Sequence, residues 1–436
     1  MAAAVHSVIA VQRWRQPLFH GSRCCKLRDM NRGHRWFGVG HSAARDSYRA
    51  GQEAARRSLR GADPALLIVF VSDGPDPGTV LKGINDLCPG VPLIGCSSES
   101  LLVDTGAAAE GVVVTAIGGP GFTVRTHAGS CADGAQRRGG EAVGRCGLDP
   151  VFEAAPADPD GRWESNGDTG HRSHQVLIML TDGRLADQEE ILAGVYGVLG
   201  ASVPLIGGSA SPASATQRPF VLHGSEVLQD VAVGAMVAST GPLGFGIRHG
   251  WYPIGDPMIV THSAGGRVYT LDDQPAVKAY LDRYEAPDAA YTDPAVFEVF
   301  AQSRPIGVRR RYGVEVRSVS SSAGLADGLL HPSGDVPEGA LVWLMHGDDA
   351  SALDAAGDAC RDAVQAVSGA PLGLIAFDCV SRVHMLGAQG ARDEVGRMRE
   401  PNPDVPVTGV YTWGEILRTF GMNGYHNQTL AVLAVG

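Results

Sequence analysis

The chain of 436 residues is 44% hydrophobic and 19% charged, which is the balance of an ordinary globular protein with material for two or three domains. Its formal net charge of −11 argues against nucleic acid as the main partner, because phosphates repel an acidic surface. No run approaches the eighteen or so apolar residues of a membrane span, and the eight scattered cysteines show neither zinc nor disulfide spacing, which predicts free thiols in a reducing, cytoplasmic compartment.

The first 35 residues are expected to form an extension outside the fold. Residues 1–29 are rich in arginine and nearly free of acid, and they lack the apolar stretch of a secretory signal. They loosely resemble a mitochondrial transit peptide, and the alternative is that translation starts at Met30. The first predicted helix follows over 42–59, where alanines recur at helical spacing with arginines largely on the other side.

Three segments then occur twice in the same order. LLIVFVSDG at 66–74 corresponds to VLIMLTDGR at 176–184, VPLIGCSSE at 91–99 to VPLIGGSAS at 203–211, and EGVVVTAIGG at 110–119 to DVAVGAMVAS at 230–239. Such matches at nearly constant offset indicate an internal duplication of a strand-helix-strand unit. Because two copies of one unit tend to bring equivalent loops together around a pseudo-two-fold axis, we expect a shared pocket.

Composition divides the chain further. Segment 153–174 is rich in Pro, Gly and Asp, which predicts a mobile insertion between the copies, and the Pro/Gly-dense segment 240–257 predicts a hinge. We therefore expect a first domain over 36–250 and a second over 251–436. In the second domain, the pattern predicts helices over 274–284 and 351–367 and strands over 314–319, 341–346, 372–377, 407–412 and 430–435. The predicted fold class is layered α/β (α+β), with two duplicated units followed by a second α/β domain.

Polar turns follow the buried strands of both copies. Asp73 and Asp182 each precede a glycine directly after a strand, and the VPLIG strands are followed by Ser97, Ser98 and Ser209. Because such turns present backbone N–H groups and hydroxyls at strand ends, they suit a carboxylate or another small anion. The alternative is that they are simply turn residues.

Three segments near the C-terminus also place polar groups beside strand ends. They are LIAFDCVSR at 374–382, GVYTWGEI at 409–416 and HNQT at 426–429. In this order they resemble the C-terminal domain of the FIST family, and the duplicated units with VPLIGCSSE resemble its N-terminal domain. The resemblance covers about residues 36–436.

The resemblance implies an intracellular sensory module for signal transduction, in a stand-alone form that acts through a separate signalling protein such as a histidine kinase. It implies a small ligand such as an amino acid or a small carboxylate, and we expect no enzyme activity. The implied pocket residues are Cys379, Arg382, Glu415, His426, Asn427 and Thr429. Arg382 would bind a carboxylate and Glu415 an ammonium group, and the alternative is a buried Arg382–Glu415 ion pair.

Three other functions stay open. Some bacterial members of the family bind haem and sense nitric oxide, which needs an axial ligand; the candidates are His262, His331, His346, His384 and His426. A scaffold without a ligand would fill the pocket with side chains. Cys379, His426 and Asn427 are the residue types of a thiol hydrolase, although a cysteine that ends a buried strand is more often an inert apolar residue.

Overall fold

The computed structural model describes residues 33–152, 171–214, 216–310, 313–319, 321–367, 369–419 and 424–436. Residues 1–32 of the predicted N-terminal extension and 153–170 of the predicted insertion lie outside the described residues. Residues 171–174 belong to a strand, so regular structure begins earlier after the insertion than the composition predicted.

The elements of the first half, in chain order, are β1 (Trp36–Ser42), α1 (Ser47–Ser58), β2 (Pro64–Val71), α2 (Pro77–Leu87), β3 (Leu93–Ser97), β4 (Leu101–Val103), β5 (Gly106–Ala108), β6 (Val112–Gly118), β7 (Phe122–Ser130), α3 (Gln136–Gly144), β8 (His171–Asp182), α4 (Gln188–Leu199), β9 (Leu205–Ala210), β10 (Val221–His223), β11 (Glu226–Leu228) and β12 (Val231–Arg248).

The elements of the second half are β13 (Tyr252–Ala264), β14 (Arg267–Leu271), β15 (Gln274–Pro275), α5 (Ala276–Arg283), α6 (Pro294–Gln302), β16 (Ile306–Arg310), β17 (Gly313–Arg317), β18 (Leu341–His346), α7 (Asp349–Gln365), β19 (Gly373–Cys379), α8 (Val380–Arg399), β20 (Val407–Thr412), β21 (Gly414–Arg418), β22 (Tyr425–His426) and β23 (Leu430–Val435).

The mixed α/β class predicted from the sequence is confirmed. The strands predicted at 341–346, 407–412 and 430–435 are found with those bounds. Most of the segment predicted as a hinge lies in strands, because β12 continues to Arg248 and β13 begins at Tyr252. The strand that ends at Cys379 passes directly into α8, a helix that the sequence pattern did not indicate.

Three copies of the repeated unit are found in the part of the chain that the structure describes, one more than the sequence indicated. Each unit has a first strand, a helix, a second strand, a helix, a third strand, a hairpin and a last strand. The first unit runs from β1 to β6, and the second from β7 to β12. The third unit uses the end of β12 (243–248) as its first strand and continues with α7, β19, α8, β20, the hairpin β21–β22 and β23. In all three, the strand order is first, last, second, third.

A short sequence motif explains the shared geometry of the units. The motif that leads into the third strand reads VPLIG at 91–95, VPLIG at 203–207 and VPVTG at 405–409. Each proline carbonyl accepts a 2.9 Å hydrogen bond from the second strand, donated by Leu67, Leu177 and Leu374 respectively. A Cβ on Gly95, Gly207 or Gly409 would lie within 2.1 Å of a carbonyl oxygen of that strand, so the close approach requires glycine.

The hairpins are exchanged between the units in a cycle. Hairpin β10–β11 of the second unit pairs with β3 of the first, β21–β22 of the third pairs with β9 of the second, and β4–β5 of the first pairs with β20 of the third. The residues opposite the three motif glycines are Leu222, Ile416 and Leu102. Because each unit completes the sheet of another, the three units are interlocked.

The units face one another around a shared apolar core. Phe70, Leu180 and Phe377 hold the same position in the three second strands and belong to this core. The rings of Phe70 and Phe377 meet edge to face with 6.4 Å between their centroids. The neighbouring residues point to the outer faces, where the helices cover them, so the central strands are buried on both sides.

Residues 251–346 form an inserted domain with its own six-stranded sheet, in the order β15-β14-β13-β18-β16-β17. Its core includes Tyr280, Phe297 and Leu344. The domain lies between the first strand and the first helix of the third unit, where the first unit has only the short loop 43–46. Two connections join it to the third unit: the incoming tether (249–250) and the outgoing tether (347–348). Over the described ranges, no helix has both the length and the apolar character that crossing a bilayer needs.

Candidate functional site

The serines after the first VPLIG strand bond to backbone. Ser97 Oγ donates to Ser211 O at 2.7 Å and accepts from Phe220 N at 2.9 Å. Ser98 Oγ lies 2.6 Å from Tyr411 O, which belongs to the third unit. Both serines are fully buried. Their hydroxyls therefore join strand ends of different units, a use closer to the turn-residue alternative than to ligand binding.

The corresponding groups of the second unit are also engaged. Ser209 Oγ lies 3.0 Å from Thr181 Oγ1, and both are buried. The carboxylate of Asp182 is buried and accepts two backbone N–H groups, each at 2.9 Å. Asp73 is exposed and accepts from the next N–H along the chain. Ser97 thus meets Ser211 of the second unit, whereas Asp73 lies at the surface, and the hydrogen bonds described here join these polar groups to one another and to backbone.

Arg382 lies in a buried ion cluster of the third unit, which we name the Arg382 cluster and define as Asp378, Arg382 and Glu394. Its Nε lies 2.9 Å from Asp378 Oδ1, and its Nη2 lies 2.5 Å from Glu394 Oε1. None of the three side chains is more than 1% exposed. Burial and the neighbouring Glu394 raise the pKa of Asp378 well above its usual range. The ion-pair alternative was right in kind but wrong in partner, because these acids take the place expected for Glu415.

Glu415 is fully buried and bonded to threonines. Its Oε1 accepts from Thr412 Oγ1 at 2.9 Å, and its Oε2 accepts from Thr429 Oγ1 at 2.8 Å and from Thr429 N at 3.1 Å. Burial raises the pKa of Glu415 to about 8, although the threonine hydrogen bonds act in the opposite direction. Because these bonds fill both oxygens, Glu415 and Thr429 form a structural contact between β21 and the start of β23.

Cys379 and His426 have different surroundings in the structure. Cys379 is 2% exposed, and burial raises the pKa of its thiol above the usual range. His426 lies with Nε2 2.9 Å from Leu417 O and with Nδ1 3.7 Å from Glu315 Oε1. Burial lowers the pKa of His426. The imidazole is therefore directed to the hairpin and the inserted domain.

Asn427 is the predicted site residue whose polar atoms remain unused. The side chain is 1% exposed, and neither of its amide atoms has a hydrogen-bond partner within the described part of the chain. A buried polar group left unpaired costs about 1–3 kcal/mol. The stability of the fold therefore does not explain this residue.

Two acidic residues of the third unit stand where the other two units have apolar or neutral residues. Asp378 stands at the position of Val71 in the first unit and Thr181 in the second. Glu415 stands at the position of Leu101 and Val221. The repeated framework forms with apolar or neutral residues at these positions, so these two buried acidic residues belong specifically to the third unit.

A cavity of about 550 Å³ lies between the inserted domain and the third unit. This volume is typical of small-molecule sites. We name it the interdomain cavity. The inserted domain contributes Ile254, Tyr284, Ser303, Arg304, Met345 and His346, and the outgoing tether and third unit contribute Gly347, Asp348, Asp349, Ala350 and Met385.

The walls of the interdomain cavity carry opposite charges. Arg304 of the inserted domain donates from Nη1 to Phe300 O at 2.8 Å, and its guanidinium lies 4.1 Å from the centre of the Phe300 ring. On the other side, Asp348 caps α7 by accepting from Ser351 N at 2.8 Å, a bond that lowers the pKa of Asp348. Asp349 follows in the first turn of α7 and is exposed. One arginine and two aspartates therefore line the same cavity.

A second cavity, of about 520 Å³, lies at the equivalent place in the first unit, beside the start of α1. Two of its three arginines share the carboxylate of Glu53, since Arg49 Nε lies 2.6 Å from Glu53 Oε1 and Arg57 Nη2 lies 3.7 Å from Glu53 Oε2. The interdomain cavity combines charged groups with apolar walls from Ile254, Met345 and Met385, so it is the better candidate for a ligand.

The five candidate histidines are dispersed. His262 pairs with Glu338 at 3.0 Å, and His384 lies 2.9 Å from Glu99. His331 joins a loop bridge in the inserted domain, and His426 is described above. Of the five, His346 lines the interdomain cavity. Among the described residues, no group of three or more His, Cys, Asp and Glu side chains is placed to hold a metal ion.

Comparison with known families gives two matches that together span most of the chain. The model of the FIST N domain matches residues 65–274, and that of the FIST C domain matches residues 276–418. The chain belongs to the FIST family. FIST domains are generally sensory or signalling domains for which small ligands are expected. The two matches meet inside the inserted domain, next to the start of α5, and the division predicted at residue 250 stays a prediction.

Other comparisons add little to the FIST assignment. No curated protein matches the chain at a significant level. Among solved structures, T. maritima PurL complexed with AMPPCP is 12% identical, with a TM-score of 0.22 over 92% of this chain and 72% of that one. The structure of PurLQS from Thermotoga maritima is also 12% identical, with a TM-score of 0.20 over the same shares. Overlaps of this quality carry no argument about fold or activity.

Sequence reasoning missed the FIST residues that line the interdomain cavity. Arg304, Asp348, Asp349 and Met385 lie on a loop and on the starts of two helices, and no repeat marks them. Two signals were available: Asp348 and Asp349 closely follow the predicted strand 341–346, and the sequence DDAS at 348–351 has the capping pattern of a helix start. The capping pattern predicts a helix but not what the helix faces.

Proposed function

We propose that this FIST protein is a sensor whose ligand is an amino acid or a small carboxylate, bound in the interdomain cavity. The observation that carries the proposal is that Arg304, Asp348 and Asp349 line one cavity of about 550 Å³. A guanidinium binds a carboxylate with two parallel hydrogen bonds, and a carboxylate binds an ammonium group. An amino acid carries both partners on one carbon atom.

The cavity also suits a side chain of moderate size. Ile254, Met345 and Met385 contribute apolar surface, and thioether side chains adapt to irregular shapes. The two aspartates add two negative charges at the start of α7, which outweigh the positive end of the helix dipole, equivalent to about half a charge. A ligand with an ammonium group is therefore acceptable at this helix start.

The ligand site differs from the one expected from sequence. Arg382 is bound to two buried acids, and Glu415 is bound to two threonines. Displacing the acids would leave the buried charge of Arg382 without partners, at a cost of several kcal/mol, and displacing the threonines would leave the buried carboxyl group of Glu415 without hydrogen bonds. The proposal therefore gives the carboxylate and ammonium roles to the residues of the interdomain cavity.

A thermal-shift screen of the full chain against the standard amino acids and small carboxylates tests the proposal. A compound that binds only the folded protein stabilises it by about 2.7 kcal/mol at a hundred times its Kd. At least one compound is expected to raise the melting temperature. A screen without any shift would refute the proposal and favour the scaffold alternative.

The proposal includes no catalysis. The burial and raised pKa of Cys379 support this, because the thiolate is the reactive form. The contacts of His426 with Leu417 and Glu315 support it as well, since a general base must reach the thiol. The bound state would be read by a separate signalling protein, for which a histidine kinase remains the candidate that the family suggests.

Haem is the second candidate ligand, and the residues fit it poorly. His346 and Met385, both able to bind iron, line the interdomain cavity. The same wall carries Asp348 and Asp349, which would face an apolar ring with anionic propionates. We therefore expect no Soret absorbance from the purified protein with added haemin, and a Soret band lost in His346→Ala would reverse this preference.

A further inference from the structure

We propose that Arg382 is a positioning residue that fixes the inserted domain over the interdomain cavity, so that the Arg382 cluster sets the affinity of the cavity for its ligand. The inference about affinity rests on the proposed function. The inference about position rests on the contacts of Arg382 alone.

The guanidinium of Arg382 joins both connections of the inserted domain. Nη1 donates to His249 O at 3.3 Å, in the incoming tether. Nη2 donates to Ala352 O at 2.8 Å, in the first turn of α7 just after the outgoing tether. One side chain thus bonds the chain where it leaves the third unit and where it returns.

The two tethers are tightly packed against their neighbours. A Cβ on Gly250, whose φ is +76°, would lie 2.5 Å from Ser351 O. A Cβ on Gly347 would lie 2.8 Å from the ring of Trp251. Because each tether touches the other end of the insertion, the bonds of Arg382 restrict the angle between the inserted domain and the third unit.

The buried acids hold the guanidinium in that position. Asp378 and Glu394 lie on the side of Arg382 that belongs to the third unit, and they leave its Nη groups directed to the two carbonyls. A charged group at 1% exposure needs such partners. The two acids therefore hold the guanidinium in place and do not compete with its bonds to the tethers.

The distribution of the cluster among the units supports this role. The first unit has the short loop 43–46 in place of the inserted domain, and it has Val71 in place of Asp378. The second unit has Thr181 at that position. The acid thus occurs in the unit that carries the insertion, which is expected if it holds the insertion and not if it is needed for the repeated fold.

The start of α8 connects Arg382 to the interdomain cavity. Met385 lines the cavity, and His384 lies 3.0 Å from Gln302 of the inserted domain. Arg382, His384 and Met385 all lie on the first two turns of α8, which end at Gly387, where the backbone leaves the helical conformation (φ +64°). A change in the tethers would therefore reach the cavity wall through a short rigid segment.

The test compares Arg382→Lys with the full native chain in two measurements. Lysine keeps the charge but loses the planar geometry that reaches two acids and two carbonyls. We expect hydrogen exchange in peptides covering 248–253 and 346–353 to become at least about tenfold faster. We also expect L-leucine, the probe, to bind about tenfold more weakly. Arg397→Lys, at an exposed position on the same helix, is the control and should change neither.

A triple variant covers the case in which Arg382→Lys does not fold. Asp378→Val, Arg382→Met and Glu394→Leu together leave no buried charge unpaired, so the variant should fold with fast tether exchange. Unchanged exchange in a folded variant overturns the positioning role. If the native chain binds L-leucine and Arg382→Lys binds it equally well, the effect on affinity is refuted while the proposed function stands. If the native chain binds no amino acid, the proposed function and the affinity claim fail, and tether exchange still decides the positioning role.

Discussion

Glu415 in the hairpin of the third unit takes the place that Leu101 takes in the hairpin of the first. Glu415 lies opposite Gly208, and Leu101 lies opposite Val410, each one residue after the motif glycine of the neighbouring strand. Both side chains are fully buried. The same site in one framework thus accepts a leucine in one unit and a carboxyl group in another, and the carboxyl group makes the stability of the third unit depend on pH.

The contribution of Glu415 to the stability of the protein is expected to fall as the pH rises from about 5 to 8. Burial raises the pKa of Glu415 from its ordinary 4.5 to about 8. Between these values the folded protein holds a proton that the unfolded chain has released, so folding loses up to about 1.4 kcal/mol for each pH unit. The side chain introduced by Glu415→Gln cannot titrate. The free energy of unfolding of Glu415→Gln, measured in urea, should therefore increase relative to that of the native protein as the pH rises across this range.

Glu226→Gln, at an exposed position in the second hairpin, is the matched control and should follow the native pH profile. Unfolding curves of the native protein and Glu415→Gln that stay parallel from pH 5 to 8 would show that Glu415 is ionised in the folded state.

Cys379 is expected to resist thiol reagents until the protein unfolds. The side chain is buried at 2% exposure, and burial raises the pKa of the thiol, so little thiolate reaches solvent. Maleimide labelling at neutral pH, mapped by mass spectrometry, should modify Cys379 only in denaturant. His426→Ala should not change this, and rapid native labelling that His426→Ala abolishes would revive the hydrolase alternative.

The sequence was sufficient for the class of the fold and for two units. The VPLIG strands repeat almost unchanged, and their spacing is preserved, so the duplication could be identified without a structure. The third copy was missed for two reasons. Its motif reads VPVTG at 405–409, and the inserted domain separates its first strand from its first helix.

The partners of buried charges could not be predicted in the same way. The sequence pattern placed Arg382 and Glu415 beside strand ends, which favoured a pair between them. The structure bonds Arg382 to Asp378, four residues before it, and to Glu394, which lies beyond the break at Gly387. Residue types indicate that a charge needs a partner, but the exchange of hairpins and the bend of α8 decide which partner is near.

The motif glycines are expected to tolerate no side chain. A Cβ on Gly409 would lie 2.0 Å from Ala376 O, so Gly409→Ala must separate β19 from β20. We expect a loss of about 3 kcal/mol or more in the free energy of unfolding. Gly197→Ala is the control: no atom lies within 4 Å of the added Cβ, and α4 should gain about 0.5–1 kcal/mol from the better helix former. Similar melting temperatures for the two variants would contradict this account of the shared backbone.

The arginine and the aspartates of the interdomain cavity predict which compounds each variant should bind more weakly. L-Leucine has both charged groups, isopentylamine lacks the carboxylate, and 4-methylpentanoate lacks the ammonium group. Arg304→Gln should weaken L-leucine and 4-methylpentanoate by at least about tenfold and leave isopentylamine unchanged. Asp349→Asn should do the reverse, weakening L-leucine and isopentylamine.

Two matched variants control this series by calorimetry. Arg309→Gln removes an exposed arginine of the inserted domain, and Asp354→Asn removes an exposed aspartate of α7; neither residue lines the cavity. If Arg309→Gln weakens L-leucine as much as Arg304→Gln does, the effect is one of net charge at long range. Equal losses for all three compounds in Arg304→Gln would mean that the arginine shapes the cavity without contacting a carboxylate.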